Sequence, residues 1–343
     1  MEDGNKEIMN TEKVIIFGAG IAGLVAAINL SRSGFIVEVR EKRDKVGGPQ
    51  AWHPSVHLQY FNPEKTSEYI GINLSPCFYQ VKTHSFNFYK HTRIINSPIN
   101  CYVCSKGGGE GTIEKYLYEI AHRQGVTFIF DRSFNLQELQ SLNEEKMNCI
   151  LATGLEKSSF EVLKIPYVAI QGYKSSMNAT KENVGSSYYG DYTNNEYAYY
   201  ASFGNFLFCL IFTRIGMVND DLIKFQDYLW KKDKLKFNQW HFSSGCVPLE
   251  KNLVKNGVVL AGTIGGMIDP FYLNGISAAL ISGKIAAMFF MDRNNAFQEF
   301  KRFTRYFYIK QSLKLISDNL PFKRISFPAI ATLNNKFKMV GVI

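Results

Sequence analysis

Three glycines set a spacing that chemistry can use. Gly18, Gly20 and Gly23, in the run Gly18-Ala19-Gly20-Ile21-Ala22-Gly23, follow the apolar stretch Lys13–Phe17 and precede the apolar residues 24–30. The short apolar stretch reads as a buried parallel strand and residues 24–30 as a helix. Gly18 permits a tight turn, Gly20 lets backbone approach a pyrophosphate, and Gly23 lets helix and strand pack closely. Unpaired N–H groups and the helix dipole then favour phosphate at the helix start. Gly34 is a candidate cap, residues 35–39 read as a second strand, and Glu41 lies 18 residues after Gly23, placed to accept hydrogen bonds from a ribose. Strand, glycine loop, helix, second strand and acid in register point to a dinucleotide, with Gly18, Ala19, Gly20, Ile21, Ala22, Gly23 and Glu41 as its contacts. NAD and FAD share this pattern.

Other reactive groups are sparse. There is no nucleophile-and-base signature, no HExxH and no paired metal spacing, so no metal site is expected. The six cysteines are too few and too scattered for a disulfide scaffold. Cys101 and Cys104 form a lone CxxC without a second pair and read as ordinary thiols of a reducing cytoplasm. His53 and His57 are the titratable groups next after the Gly47-Gly48 turn.

The elements that position these groups come from a chain of 343 residues, about two domains' worth, with 46% hydrophobic and 20% charged residues. It can bury a core and is not a disordered chain. No apolar run reaches the roughly 18–20 residues that cross a bilayer, and the polar start MEDGNKEIMNTEK lacks a signal peptide's apolar region. A cytoplasmic protein, peripheral at a membrane at most, is the expectation. The net charge of +9 is concentrated in the tail, where residues 293–338 hold ten basic side chains against Glu299 and Asp318. Interleaved Phe297, Phe300, Phe303, Tyr306, Phe307, Leu313 and Ile316 give near-helical spacing. A terminal helix docked on the core with solvated lysines, or a basic helix on an anionic membrane, both fit, and nucleic acid is not expected.

Glu41-Lys42-Arg43-Asp44-Lys45-Val46-Gly47-Gly48 resembles the opening of the large two-dinucleotide-fold flavoprotein families, whose second glycine pair passes close to bound FAD. The resemblance implies FAD rather than NAD, and adds Lys42 and Gly48 to the cofactor contacts. Downstream, Gly262-Thr263-Ile264-Gly265-Gly266-Met267-Ile268-Asp269-Pro270, Asn274-Gly275-Ile276 and a small-residue helix over 277–291 resemble the "GDAAG…DP…GI…A…SGK.AA" segment of the geranylgeranyl reductase family. That family belongs to the flavoproteins shaped like p-hydroxybenzoate hydroxylase. Gly262, Thr263, Gly275 and Ile276 are thereby expected at the FAD. Residues 105–112 resemble the family's arginine-containing segment, with Lys106 at the arginine position. Ala152-Thr153-Gly154 resembles its returning "ATG" strand against the cofactor, so Lys106, Thr153 and Gly154 join the expected FAD contacts; residues 190–213 resemble its substrate-domain hairpin, and Gly245-Cys246-Val247-Pro248 its "GxxP" element.

The sequence also departs from that pattern. Thr263 replaces the acid of the "GD" pair, Asn274 that of "EGI", Trp52 the cysteine of "PxxC", and Tyr199 the tryptophan of "YxWxFP". The resemblance puts Trp52 beside the flavin, His53 as a candidate proton donor, and Tyr199 in the substrate pocket.

The expectation is an α/β protein. A discontinuous Rossmann-type FAD-binding domain spans residues 10–60, 95–155 and 245–295. An inserted antiparallel β-sheet substrate domain spans 61–94 and 156–244, and a basic helical segment covers 296–343. One face of the aromatic-rich sheet would line an apolar cavity. The resemblance implies an FAD-dependent reductase of C=C bonds in an isoprenoid or lipid-like substrate, with electrons from NAD(P)H, as a transient donor, or from another donor. The alternatives are an FAD monooxygenase acting on an aromatic or apolar small molecule, and a binding module that keeps the fold without catalysis.

Overall fold

Valine, isoleucine and phenylalanine on both faces of Lys13–Phe17 bury that strand at the centre of a sheet. In the computed structural model, which describes residues 12–48, 55–59, 61–96, 101–178, 183–193, 196–214 and 219–343, it belongs to a six-stranded sheet. The strand order is Val254–Lys255, Val258–Leu260, Asn148–Leu151, Lys13–Phe17, Ile36–Arg40, Thr127–Ile129. All pairs are parallel except the first. The ends of the three central strands are stitched together. Ala152 N donates to Phe17 O at 2.8 Å, and Ala261 N to Leu151 O at 2.9 Å. Their C-terminal ends therefore open on one edge, where α/β sheets bind ligands.

The helix Ile21–Arg32 is buried continuously from Ile21 to Leu30, so it is a core helix with no polar face. It packs against Ile276–Met291, and small residues bring the two backbones together. A Cβ on Gly283 would lie 2.4 Å from Ala22 O.

A seven-stranded sheet runs in the order His241–Pro248, Tyr167–Asn178, Phe206–Thr213, Ala198–Phe203, Val184–Tyr189, Thr83–Phe88, His91–Asn96. It is antiparallel except where Val184–Tyr189 pairs with Thr83–Phe88. Residues 245–248 lie in this sheet and not in the six-stranded one expected to include the segment 245–295. Gly204, at φ +55°, and Asn205 form the turn between two of its strands. Alternation divides the strand Phe206–Thr213. Leu207, Cys209 and Ile211 pack with Tyr188, Phe225 and Leu229 in a core beneath the helix Asn219–Asp233, while Leu210 and Phe212 face the other way. A three-stranded antiparallel sheet, Ser55–Gln59, Cys101–Ser105, Tyr79–Gln80, completes the β-structure of the described residues.

The tail forms three helices, Arg293–Phe303, Phe307–Asn319 and Lys323–Asn334. Solvated lysines on a docked helix describe only part of it. Lys310 and Lys314 are fully buried and ion-paired, so their Nζ groups turn inward, toward acids from distant segments. The last residues fold back onto the helix Ile276–Met291, where a Cβ on Gly341 would sit 2.3 Å from Ala278 Cα. No helix among the described residues is long and apolar enough to cross a membrane.

Candidate functional site

Each glycine of the first loop has a separate steric reason. Gly18 has φ +105°, and a Cβ there would meet Ala152 O at 2.5 Å. A Cβ on Gly23 would meet Gly18 O at 2.0 Å, so only glycine lets the helix close on the strand. Gly20 has nothing within 4 Å of its Cβ position, which leaves open space in front of the helix start. That start has no side-chain cap and no acid in its first turn. Its N–H groups remain available to an anion. Glu41 is buried, and its carboxylate accepts from Ala19 N at 2.8 Å and Arg43 N at 3.1 Å. A carboxylate has about four acceptor positions, so capacity remains for hydroxyls.

A cavity of about 540 Å³ starts at this loop and runs to the seven-stranded sheet. Gly20, Ile21 and Ala22 form one end of its lining. Lys106, Gly154, Gly262, Thr263, Gly275 and Ile276 also line it, and so does Tyr199. Thr153 lies between two lining residues, and its buried Oγ1 has no hydrogen-bond partner. Gly262 has φ +74° and donates its N–H to Ser282 Oγ at 2.7 Å. Gly275 starts the helix Ile276–Met291 without a side-chain cap, so a second helix N-terminus opens on the same space. The far wall is apolar and aromatic, with Tyr189, Tyr197, Leu210 and Phe212. Burial pushes the Tyr197 and Tyr199 phenols well above the ordinary range, so both are neutral hydroxyls.

The structure places other expected residues outside this lining. Lys42 ion-pairs with Glu156. Gly48 packs on the Arg43 side chain, and its carbonyl faces Gly108, whose Cβ would lie 3.1 Å from it. Gly47 and Gly107 meet backbone to backbone, with a Cβ on Gly47 only 2.1 Å from Gly107 C. Gly18, Ala19 and Gly23 support the loop from behind, and Glu41 holds it from the side. Trp52 and His53 lie outside the described residues, and of His57 only the backbone is described, in the strand Ser55–Gln59. Cys101 and Cys104 face different clusters, and burial pushes Cys101 up to about 12. No group of three His, Cys, Asp or Glu suited to a metal occurs among the described residues.

Sequence reasoning missed a buried ionic support. Asp269, fully buried, accepts from Phe271 N and Tyr272 N, both at 3.0 Å, and meets Lys310 Nζ at 3.1 Å. Glu196 meets Arg214 Nε at 2.9 Å and Lys314 Nζ at 3.0 Å, and Arg214 also donates to Pro270 O at 2.7 Å. The turn leading to Tyr272, Asn274 and Gly275 is thereby fixed to the tail and the aromatic sheet. The charged partners are far apart in sequence, so no local spacing announces them. Lys106 approaches Glu114 Oε1 at 3.6 Å, and half-buried Lys174 is pushed below the usual lysine range by burial, then by Arg43 and Lys106.

Comparison with known proteins agrees with this geometry. Residues 16–51 match the model of an NAD(P)-binding Rossmann-like domain. The chain is 54% identical over 39 residues to 4,4'-diapolycopene oxygenase of a Methylomonas species, a match covering 11% of this chain and 8% of that protein. A geranylgeranyl bacteriochlorophyll reductase-like protein from Thermoplasma acidophilum superposes with TM-score 0.67 at 16% identity, covering 97% of this chain and 94% of the other. The tetrameric form of 2-methyl-3-hydroxypyridine-5-carboxylic acid oxygenase gives TM-score 0.61 at 12% identity, covering 97% of this chain and 100% of the other. The chain has the fold of the FAD-dependent oxidoreductases shaped like p-hydroxybenzoate hydroxylase, with a Rossmann-like dinucleotide-binding unit.

Proposed function

We propose that this protein is an FAD-dependent oxidoreductase that reduces C=C bonds of an isoprenoid or lipid-like substrate. One observation carries the reading: a single cavity joins the open phosphate-binding loop at Gly20 to an apolar, aromatic wall. The residues present fit the flavin dinucleotide. The uncapped helix start at Ile21 and the open space at Gly20 suit a pyrophosphate, Glu41 suits a ribose, and the orphaned Thr153 Oγ1 lacks the partner a ligand would supply. Gly18, Ala19, Gly20, Ile21, Ala22 and Gly23 would shape or contact the phosphate end. Lys106, Gly154, Gly262, Thr263, Gly275 and Ile276 would hold the remainder, and Lys42 and Gly48 would act by fixing the neighbouring turns. Bound FAD supplies the hydride chemistry, and NAD(P)H is the proposed transient donor.

The chain's own residues have definable tasks. The N–H groups at the start of Ile276–Met291 stabilise negative charge that develops next to them. Tyr197, Leu210 and Phe212 exclude water and bind an apolar chain, with Tyr199 beside them. His53 is proposed to deliver the proton to the second carbon of the alkene, and Trp52 to wall the ring. The exposed Leu315, Phe322 and Ile325 of the basic tail support its contact with an anionic membrane surface.

The aromatic wall also favours a second reading, a monooxygenase for an aromatic or apolar small molecule. Incubation with FAD, NADPH and a polyunsaturated isoprenoid, once anaerobically and once in air, separates the two. A product heavier by two hydrogens, formed without oxygen, supports the reductase. A product that requires oxygen and gains one oxygen atom supports the monooxygenase. No product under either condition leaves the binding module.

A further inference from the structure

The charge of the tail resolves into individual fates. Lys310 and Lys314 are buried against acids, and Lys323 Nζ donates to the carbonyl oxygens of Ser317 and Asp318. Arg293 lies over the rings of Phe289 and Phe297, and Arg324 pairs with Asp191. Arg302 is paired with Glu299. Arg305, Lys336 and Lys338 have no carboxylate partner among the described residues, and all three line one concavity of about 420 Å³ together with Arg302. Its floor is apolar and aromatic, including Phe303, Tyr306 and Met339.

Stacking makes this more than a scatter of surface lysines. The guanidinium carbons of Arg302 and Arg305 lie over their neighbouring rings, 4.8 Å from the Phe303 centroid and 5.3 Å from that of Tyr306. Stacking orients their forks and reduces the ordering cost of binding. The helices Arg293–Phe303 and Lys323–Asn334 both end at the rim, and each helix end contributes about half a negative charge. Against three unpaired cations, about two positive charges remain. Met339 lines both this concavity and the large cavity, so the two spaces share one wall.

We propose that this concavity is a second binding site, for a phosphate or diphosphate group, whose attached apolar portion would lie on the floor next to Met339. The site is independent of the redox reading, and its test needs no turnover. Full-length protein is titrated with inorganic pyrophosphate by calorimetry, and is sedimented with phosphatidylcholine vesicles with or without phosphatidic acid. Both measurements are repeated on Lys336→Gln/Lys338→Gln. A Lys65→Gln/Lys224→Gln control loses the same net charge from exposed positions elsewhere.

Pyrophosphate binding that weakens about tenfold or more in the tail variant, and not in the control, supports the site and assigns it to a soluble phosphorylated compound. Sedimentation that requires phosphatidic acid, is lost in the tail variant only, and occurs without pyrophosphate binding supports the same site with a lipid headgroup as its source. Binding of neither probe, or equal binding by the tail variant and the control, overturns the proposal.

Discussion

Replacing Lys310 by methionine removes half of an ion pair from a place where neither half meets water, since both side chains are fully buried. Lys310 Nζ stands 3.1 Å from Asp269 Oδ2 and 3.2 Å from Asn334 Oδ1. Methionine keeps most of the length and volume, so the principal loss is electrostatic. Among the described residues, Asp269 is then left as a buried carboxylate held by the Phe271 and Tyr272 amides. Breaking a buried pair from one side costs about 3–5 kcal/mol. With a slope of about 2–3 kcal/mol per molar urea, the unfolding midpoint falls by about 1–2.5 M. Adding Asp269→Asn to Lys310→Met removes the orphaned charge and restores more than half of that loss. The assay is urea unfolding followed by both fluorescence and far-UV circular dichroism. A midpoint for Lys310→Met within about 0.3 M of wild type, on the same slope, would refute the assignment of Lys310 as the charge that stabilises this turn.

Three further outcomes follow from the geometry. Gly23→Ala places a Cβ 2.0 Å from Gly18 O, so the loop must shift; flavin bound per chain, read by absorbance after gel filtration, drops at least tenfold. Retention equal to wild type would contradict the close packing. Ser282→Ala leaves the buried Gly262 N–H without its acceptor, which costs about 1–3 kcal/mol in the same urea assay, and no change would mean another acceptor takes over. Burial pushes the thiols of Cys77, where Glu114 adds to the effect, and Cys101 up to about 12. Both are raised above their unfolded values, so their stabilising contribution is complete below about pH 8.5 and fades as pH rises toward 12. Alkaline unfolding should therefore begin in that window, and a Cys77→Ala/Cys101→Ala variant should show a shallower decline there. Rapid reaction of these thiols with a disulfide reagent in the native protein at pH 8 would contradict their burial.

Much of the dinucleotide loop is legible in the sequence because its constraints are local. Gly18, Gly20 and Gly23 act within six residues: Gly23 answers the close approach of Gly18 O and Gly20 leaves open space at the helix start, whereas the contact that Gly18 answers, Ala152 O, comes from a distant strand end. Thr112 caps the helix Ile113–Arg123 and accepts from Lys115 N, a signal readable at three-residue spacing. Tyr199 and Phe212 reach the cavity by strand alternation, which the aromatic run already contains. The positions that were not legible depend on pairing across the fold. Lys310 and Lys314 sit at helical spacing on an aromatic-basic segment, yet the acids that draw them inward are Asp269 and Glu196. Lys42 turns to Glu156, and Gly48 supports a turn rather than the cavity wall. The helix Pro63–Ile70, within the segment assigned to the substrate domain, packs on Ile276–Met291, and Tyr69 Oη donates to Glu299 at 2.8 Å. The strand order and the convergence of Arg305, Lys336 and Lys338 are likewise products of tertiary assembly.

The most direct test of the central claim is the visible spectrum of the purified full-length protein after saturation with FAD and removal of the excess. The account predicts a flavin spectrum at one FAD per chain, bleached anaerobically by NADPH or NADH and restored by the substrate. A colourless protein that fails to take up FAD would contradict it.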